Sequence, residues 1–367
     1  MENLLIGVTN LQIGHIVMYI IGAFLIYLAI VKDYEPMLLL PIGFGAILAN
    51  IPLSSAIGEE GPLTTLFKAG ILTELFPCLI FVAIGAMCDF GPLLRNPFYM
   101  LFGAAAQFGI FATIVAAAFL GFNIKEAASI GIIGAADGPT TIYVATKFAP
   151  HLLGPLSVAA YCYMSLVPII QPPVIKAITT KRERQIMMVA KPQQEVSRMV
   201  RILFPIVVTI VAGIIAPISV ALVGLLMFGN LIKECGVLNN LAKAAGNELS
   251  NLVTLLLGIT IGSTMEANAF LQPTTLFVLG MGIVAFVFDT AGGVIFAKIL
   301  NLFLKEKINP MIGAAGISAF PMSARVIAKM ALAENKQNYI IMHAIGANAA
   351  GQIGSIIAGG LVLSLVK

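Results

Sequence analysis

Apolar residues run through this chain in blocks of about 17 to 25, the length an α-helix needs to cross the hydrocarbon core of a bilayer. Such blocks lie at roughly 13–31, 36–52, 71–90, 98–121 and 155–176, and again at roughly 201–216, 217–233, 252–266, 274–298 and 338–365. Each predicts a transmembrane helix. Two further segments, about 124–150 and about 308–333, are rich in Gly, Pro, Ser and Thr and are interrupted at their middles. They predict broken helical hairpins that enter and return, because irregular backbone at membrane depth survives only where protein covers it or it lines a cavity.

Between the two sets lies the most basic stretch, "KAITTKRERQIMMVAKPQQEVSRMVR", from Lys176 to Arg201. Positive loops stay on the cytoplasmic side. Internal similarity then decides the architecture. "GPLTTLFKA" from Gly61 resembles "GVLNNLAKA" from Gly236, "IGAMCD" from Ile84 resembles "IGSTME" from Ile261, and "IGAAD" from Ile133 resembles "IGAAG" from Ile312. The pairs keep their order at a nearly constant spacing. The expected fold is therefore an all-α polytopic membrane protein of two repeats, 1–176 and 201–367, joined by a basic cytoplasmic loop at 177–200. With five crossings per repeat, an odd number, the repeats insert in opposite senses, which is the inverted plan of secondary transporters. Counting outward from the basic loop puts both termini outside and Lys298, Lys305 and Lys307 inside. The first hairpin then enters from outside and the second from inside.

Composition narrows the class. The chain is 59% hydrophobic and 10% charged, against about one quarter charged in soluble domains, so it is an integral membrane protein. The start, "MENLLIGVTNLQ", lacks a basic n-region and a small-residue cleavage site, so it is expected to stay in the mature protein. The net charge of +4 sits in short loops between apolar runs; topology accounts for it and nucleic acid is not an expected partner. Cys78, Cys88, Cys162 and Cys235 form no C-x-x-C pair, and His15, His151 and His343 are isolated. Neither a disulfide frame nor a zinc site follows.

Chemistry is sought where polar groups are costly. "GIIGAADGPTTIYVATKFAP" places Asp137 at the break of the first hairpin, before Gly138, Pro139, Thr140 and Thr141. An intramembrane carboxylate costs at least about 2.5–3.5 kcal/mol. It is either an N-cap for the returning half-helix or, with free backbone carbonyls and hydroxyls around it, a ligand for sodium or a proton. The second hairpin, "NPMIGAAGISAFPMSARV", repeats the Gly and Pro breaks but aligns Gly316 with Asp137 and offers Ser318, Ser323 and Arg325 instead. Arg325 can pair Asp137, receive an anionic substrate, or snorkel to the interface. "GANAAGQIGSII" in the last run sets Asn348 and Ser355 two turns apart on one helix face, within reach of an ion. Gln171 and Gln352 read as interhelical hydrogen-bond partners. Tyr163 supplies a weak acid able to pass a proton if a neighbour lowers its pKa.

The stretches "GIIGAADGPT", "YCYMSLVPIIQPPVIKA", "NPMIGAAGISAFPMSARV" and "GANAAGQIGS", with the order and number of runs, resemble the beta subunits of the sodium-pumping biotin-dependent decarboxylases that act on oxaloacetate, methylmalonyl-CoA or glutaconyl-CoA. The resemblance covers nearly the whole chain. It implies a multi-pass subunit of a bacterial or archaeal cell (inner) membrane that decarboxylates carboxybiotin, consumes a proton and exports sodium. It implies Asp137 as central sodium ligand and proton-coupled carboxylate, with Tyr163 second in the relay. Asn309, Gly313, Ser318 and Arg325 would form the second hairpin's functional region, with Asn348 and Ser355 completing sodium coordination. The implied partners are a carboxyltransferase subunit, a biotin carrier protein, a small membrane-anchored subunit, lipid, and further copies of the chain. No Met-Lys-Met signature occurs, and Lys329-Met330 sits in a membrane hairpin, so biotin belongs to another chain. A stand-alone sodium-coupled carboxylate symporter or sodium/proton antiporter remains the alternative, since one architecture serves several uses.

Overall fold

The computed structural model describes residues 6–188 and 196–366; residues 189–195 of the basic loop and the two extreme chain ends lie outside the described residues. In chain order the principal helices are α1 (Ile13–Lys32), α2 (Pro36–Ala49), α3 (Pro62–Ile71), α4 (Leu75–Met87), α5 (Pro97–Phe119), α6 (Ile124–Gly131), α7 (Gly138–Phe148), α8 (Pro150–Ser165) and α9 (Val167–Ile178). After the basic loop come α10 (Arg198–Ile215), α11 (Pro217–Glu234), α12 (Asn239–Ser263), α13 (Pro273–Phe303), α14 (Met311–Ala314), α15 (Met322–Glu334) and α16 (Ile341–Leu365).

Seven of these, α1, α5, α10, α11, α12, α13 and α16, are long and apolar enough to cross a membrane, and the bent pairs α3–α4 and α8–α9 each make one more. With the shorter apolar α2, every run read from the sequence meets a helix. Two runs depart in detail. The run at 155–176 is not straight but bends by 70° near Leu166. Pro168 stands two residues on, and a proline lacks the amide and crowds the carbonyl four residues back. The run at 252–266 begins earlier, at Asn239, because Asn239, Lys243, Asn247 and Glu248 mask the first turns of α12 in a hydropathy reading.

The two interrupted segments are central. α6 and α7 are separated by a break at 132–137, α14 and α15 by one at 315–321. Every residue from Ala127 to Ala145 and from Asn309 to Ala319 is buried. α10, by contrast, buries only Pro205 and Ala212 and turns Ile, Val and Leu outward. Small residues inside and branched aliphatics outside is the pattern of a bundle whose solvent is lipid.

Two seams cross between the chain before the basic loop and the chain after it. α2 packs on α12, and α4 on α11. In the first seam Gly45 meets the backbone of Ile259 and Gly262, while Gly262 meets that of Ile42 and Ala46. In the second, Gly85 meets Leu226 and Asn230, and Gly229 meets Val82 and Ala86. Glycines on both sides of each seam let the backbones touch where any Cβ would collide. A π-helical turn also recurs, at Phe67–Ile71 and at Ala245–Leu249.

The seams yield a contrast that can be measured. Gly229→Ala, which drives a methyl into the Val82 carbonyl, is expected to destabilise by about 1–3 kcal/mol. Gly224→Ala on the same helix, whose new methyl would stand 3.5 Å from Thr209 Cγ2, is expected to be neutral. Thermal unfolding of the detergent-solubilised protein compares them, and equal transition temperatures would remove the glycines' role in the seam.

Candidate functional site: a carboxylate between two helix breaks

The first break is built by its ends. Asn123 caps α6 by accepting from the Lys125 and Glu126 amides (3.0 and 2.9 Å), and the Glu126 carboxylate accepts from the Asn123 amide (3.1 Å). The helix tightens into a 3₁₀ turn at Ile132–Ala135, and Ala136 takes a left-handed φ of 52°. Helical bonding cannot continue through such a residue. Asp137 follows as the N-cap of α7, with Gly138 and Pro139 in its first turn.

Asp137 is 4% exposed. Its Oδ1 accepts from the Thr140 amide at 3.1 Å. Its Oδ2 accepts from Thr140 Oγ1 at 2.7 Å and from Ser355 Oγ of α16 at 2.6 Å. Both readings of the residue thus coexist: it caps α7, and it is a buried carboxylate ringed by hydroxyls. The ring of Tyr161 lies over Gly138, where a Cβ would strike it.

The second break is joined to the first at one atom. The amide and hydroxyl of Ser318 both donate to the Ala135 carbonyl, at 3.0 and 2.9 Å. Asn348 Nδ2 donates to the Ile317 carbonyl at 2.6 Å and Gln352 Nε2 to that of Ser318. Asn348, Gln352 and Ser355 fall at i, i+4 and i+7, one face of α16. Behind this, Gln171 of α9 donates to the Ala314 carbonyl and exchanges bonds with Ser323, each at 2.9–3.0 Å.

Three buried oxygens are left without partners here: Asn348 Oδ1, Gln352 Oε1 and Tyr161 OH. Burying such an atom unpaired is costly. A carboxylate, hydroxyls and amide oxygens around two helix breaks suit a hard monovalent cation carried as cargo. Among the described residues no three His, Cys, Asp or Glu side chains come together as a metal site, so the donors are oxygen atoms of mixed type rather than a soft-ligand cluster.

The other residues singled out by sequence fall elsewhere. Tyr163 is two positions, and so about 200° of helix, from Tyr161; its hydroxyl donates to the Leu279 carbonyl of α13, and its ring packs on Gly282. Asn309 clasps the chain after α9, donating to the carbonyls of Arg184 and Ile186 at 2.8 and 3.0 Å and accepting from the Met311 amide at 3.1 Å. Gly313 meets the backbone of Gly293. Arg325 is exposed on α15 and acts on Glu35 in the α1–α2 turn. Burial pushes the Glu35 carboxyl above its ordinary value, Arg325 pulls it back, and Asp33 adds to the rise.

The structure adds Thr140, Tyr161 and Gln352 to the cluster. Thr140 was signalled by its place three after Asp137, the spacing of an N-cap bond. Gln352 was signalled by its helix face shared with Asn348 and Ser355. Nothing in the sequence chose Tyr161 over Tyr163.

The family model described as the Na+-transporting oxaloacetate decarboxylase beta subunit matches residues 14–366. The methylmalonyl-CoA decarboxylase subunit beta of Veillonella parvula is 50% identical over 354 residues, covering 96% of this chain and 94% of that protein. The glutaconyl-CoA decarboxylase subunit beta of Acidaminococcus fermentans is 49% identical over 353 residues, with 96% and 93% covered. The oxaloacetate decarboxylase beta chain of Klebsiella pneumoniae is 42% identical over 422 residues, with 98% and 97% covered. With nearly every position of the chain accounted for by such relatives, it belongs to the beta-subunit family of the sodium-transporting, biotin-dependent decarboxylases.

Proposed function

We propose that this chain decarboxylates carboxybiotin delivered by a partner and couples that reaction to outward sodium transport, with one proton consumed. The observation that carries the proposal is the Asp137 carboxylate, held dry at a helix break by Thr140 and Ser355. The substrate supplies a nitrogen–carbon bond that breaks, carbon dioxide leaving while the ring nitrogen takes up a proton. Asp137 holds sodium or that proton in alternation. Ser355, Ser318, Asn348, Gln352 and Tyr161 complete the oxygen set, and Tyr163 assists proton supply from the side facing α13.

In this reading the repeats are inverted and the two hairpins are re-entrant from opposite faces of the cell membrane, both termini lying outside. Matched seams and matched π turns support it. The Lys176–Arg201 face is cytoplasmic, where Arg325 receives the carboxylated ring. A carboxyltransferase, a biotin carrier and a small membrane-anchored subunit complete the complex, together with further beta subunits.

Co-purification with a biotinylated protein, read on a streptavidin blot, is the first check; a chain that travels alone would favour a stand-alone transporter. In liposomes carrying the complex, Asp137→Asn is expected to lower sodium-dependent decarboxylation and sodium flux at least about a hundredfold, with membrane insertion intact. Wild-type flux in that variant would reject the assignment. Ser355→Ala removes a hydrogen bond to a charged group, a loss of about 1.5–3 kcal/mol, and should raise half-saturating sodium tenfold or more.

The two tyrosines separate binding from turnover. Tyr161→Phe should raise half-saturating sodium, while Tyr163→Phe should slow turnover and leave sodium affinity near wild type. Loss of both parameters together in Tyr163→Phe would make it a packing residue. For Arg325, the lysine variant should keep part of the activity and the alanine variant little, because lysine keeps the charge without the bidentate fork.

A further inference from the structure

A second carboxyl group lies in the middle of the bundle. Asp289 occupies the centre of the 31-residue α13 and is 0% exposed. Neither of its oxygens has a hydrogen-bond partner of good geometry, and it belongs to no ion pair among the described residues. It points at the backbone of α5, where a Cβ on Gly109 would collide with it. The α5 helix is irregular there: the Gln107 amide bonds to Ala104 and the Ile110 amide to Gln107, each only three residues back. The amides of Gly109 and Ile110 face the carboxyl.

The surroundings choose the ligand. The two backbone amides facing the carboxyl are donors, and donors repel a metal cation. An unpaired carboxylate out of water is expensive, whereas a carboxyl that keeps its proton is not. The ionisable groups on the elements packed around α13 are Tyr99 of α5, His151, Tyr161, Cys162 and Tyr163 of α8, Lys125 and Glu126 of α6, Asp137 at the first break, Lys176 of α9, and Lys298 on α13 itself. None of them acts on Asp289.

Asp289 is nevertheless mechanically connected to both hairpins. One turn before it, Ala285 lies against Gly134 of the first; one turn after it, Gly293 lies against Gly313 of the second. Across α5, Gly103 packs on Ala350 and Gly354 of α16, the helix that carries Ser355. A shift between the hairpins therefore changes how tightly α5 closes over Asp289.

We propose that Asp289 is a second proton-binding site, occupied while α5 is closed over α13 and emptied when sodium binding rearranges the hairpins. The proton leaves the carboxyl oxygen for water admitted at the α5 irregularity, and the Gly109 and Ile110 amides then hold the anion. The linkage to sodium rests on the reading of Asp137 as the sodium site; the proton site itself does not.

Infrared difference spectroscopy of the complete complex, grown with ¹³C-labelled aspartate, tests both parts. In the wild type, sodium should change isotope-shifted bands of two protonated carboxylic acids, Asp137 and Asp289, and Asp289→Asn should remove one of them, the Asp289 band. In Asp137→Asn the band should persist and respond to pH but no longer to sodium. Should Asp289→Asn fail to fold, Asp289→Glu decides, because it keeps an acid at this position but takes its band out of the aspartate-labelled set. Absence of an Asp289 band, one that substitution of Asp289 removes, overturns the proposal whatever sodium does. A band that ignores sodium in the wild type overturns the linkage, and if sodium binds Asp137→Asn unimpaired, the reading of Asp137 fails instead. In flux measurements, half-saturating sodium should fall by up to about tenfold per pH unit where one proton is exchanged for one ion, and Asp289→Asn should flatten that slope.

Discussion

A carboxylate taken out of water must be met by donors or by a cation, and the centre of this protein is arranged around that requirement. Asp137 accepts three hydrogen bonds from Thr140 and Ser355, which still leaves lone pairs of the carboxyl unused. The bonds depend on an interrupted helix. Only because Ala136 turns left-handed does the chain present the side chain and a free amide to the same point. A continuous helix would aim the carboxylate outward and consume that amide within its own ladder.

The second break serves the first. Ser318 places two donors on the Ala135 carbonyl, so the residue before the turn is anchored by the opposite hairpin rather than by its own. α16 then ties them together through Asn348, Gln352 and Ser355, each bonded to a different partner on the two breaks. The site is thus shared between distant parts of the chain.

Much of this was legible in the sequence. Hydropathy found every membrane-length helix, and the cost of burial picked out Asp137 beside a Gly-Pro break. The polar face of α16 also followed from spacing alone. What stayed hidden was tertiary. Which of Tyr161 and Tyr163 faces the carboxylate depends on the rotation of α8 before its bend at Leu166, and no local pattern reports a rotation. Asn309 looks like a site residue because it opens the second hairpin, yet its amide group is spent on the Arg184 and Ile186 carbonyls, partners more than a hundred positions away. Asp289 lies in the apolar run at 274–298, and the sequence reading passed over it. That both its oxygens lack partners is a property of packing against α5, which composition does not contain.

The crossed seams bear on how the protein is made. Asn50 beside α2 waits for Ala267 beyond α12, 217 positions later, and Gly45 waits equally long for Gly262. At about 5–20 residues per second that interval is on the order of 10–40 s of synthesis. Throughout it, the early helices sit in the bilayer with their glycine faces uncovered. Premature pairing of α2 with α4, each seeking a flat backbone surface, is the misassembly this order of emergence invites, so the nascent chain depends on whatever shelters those faces in the membrane until the later helices arrive.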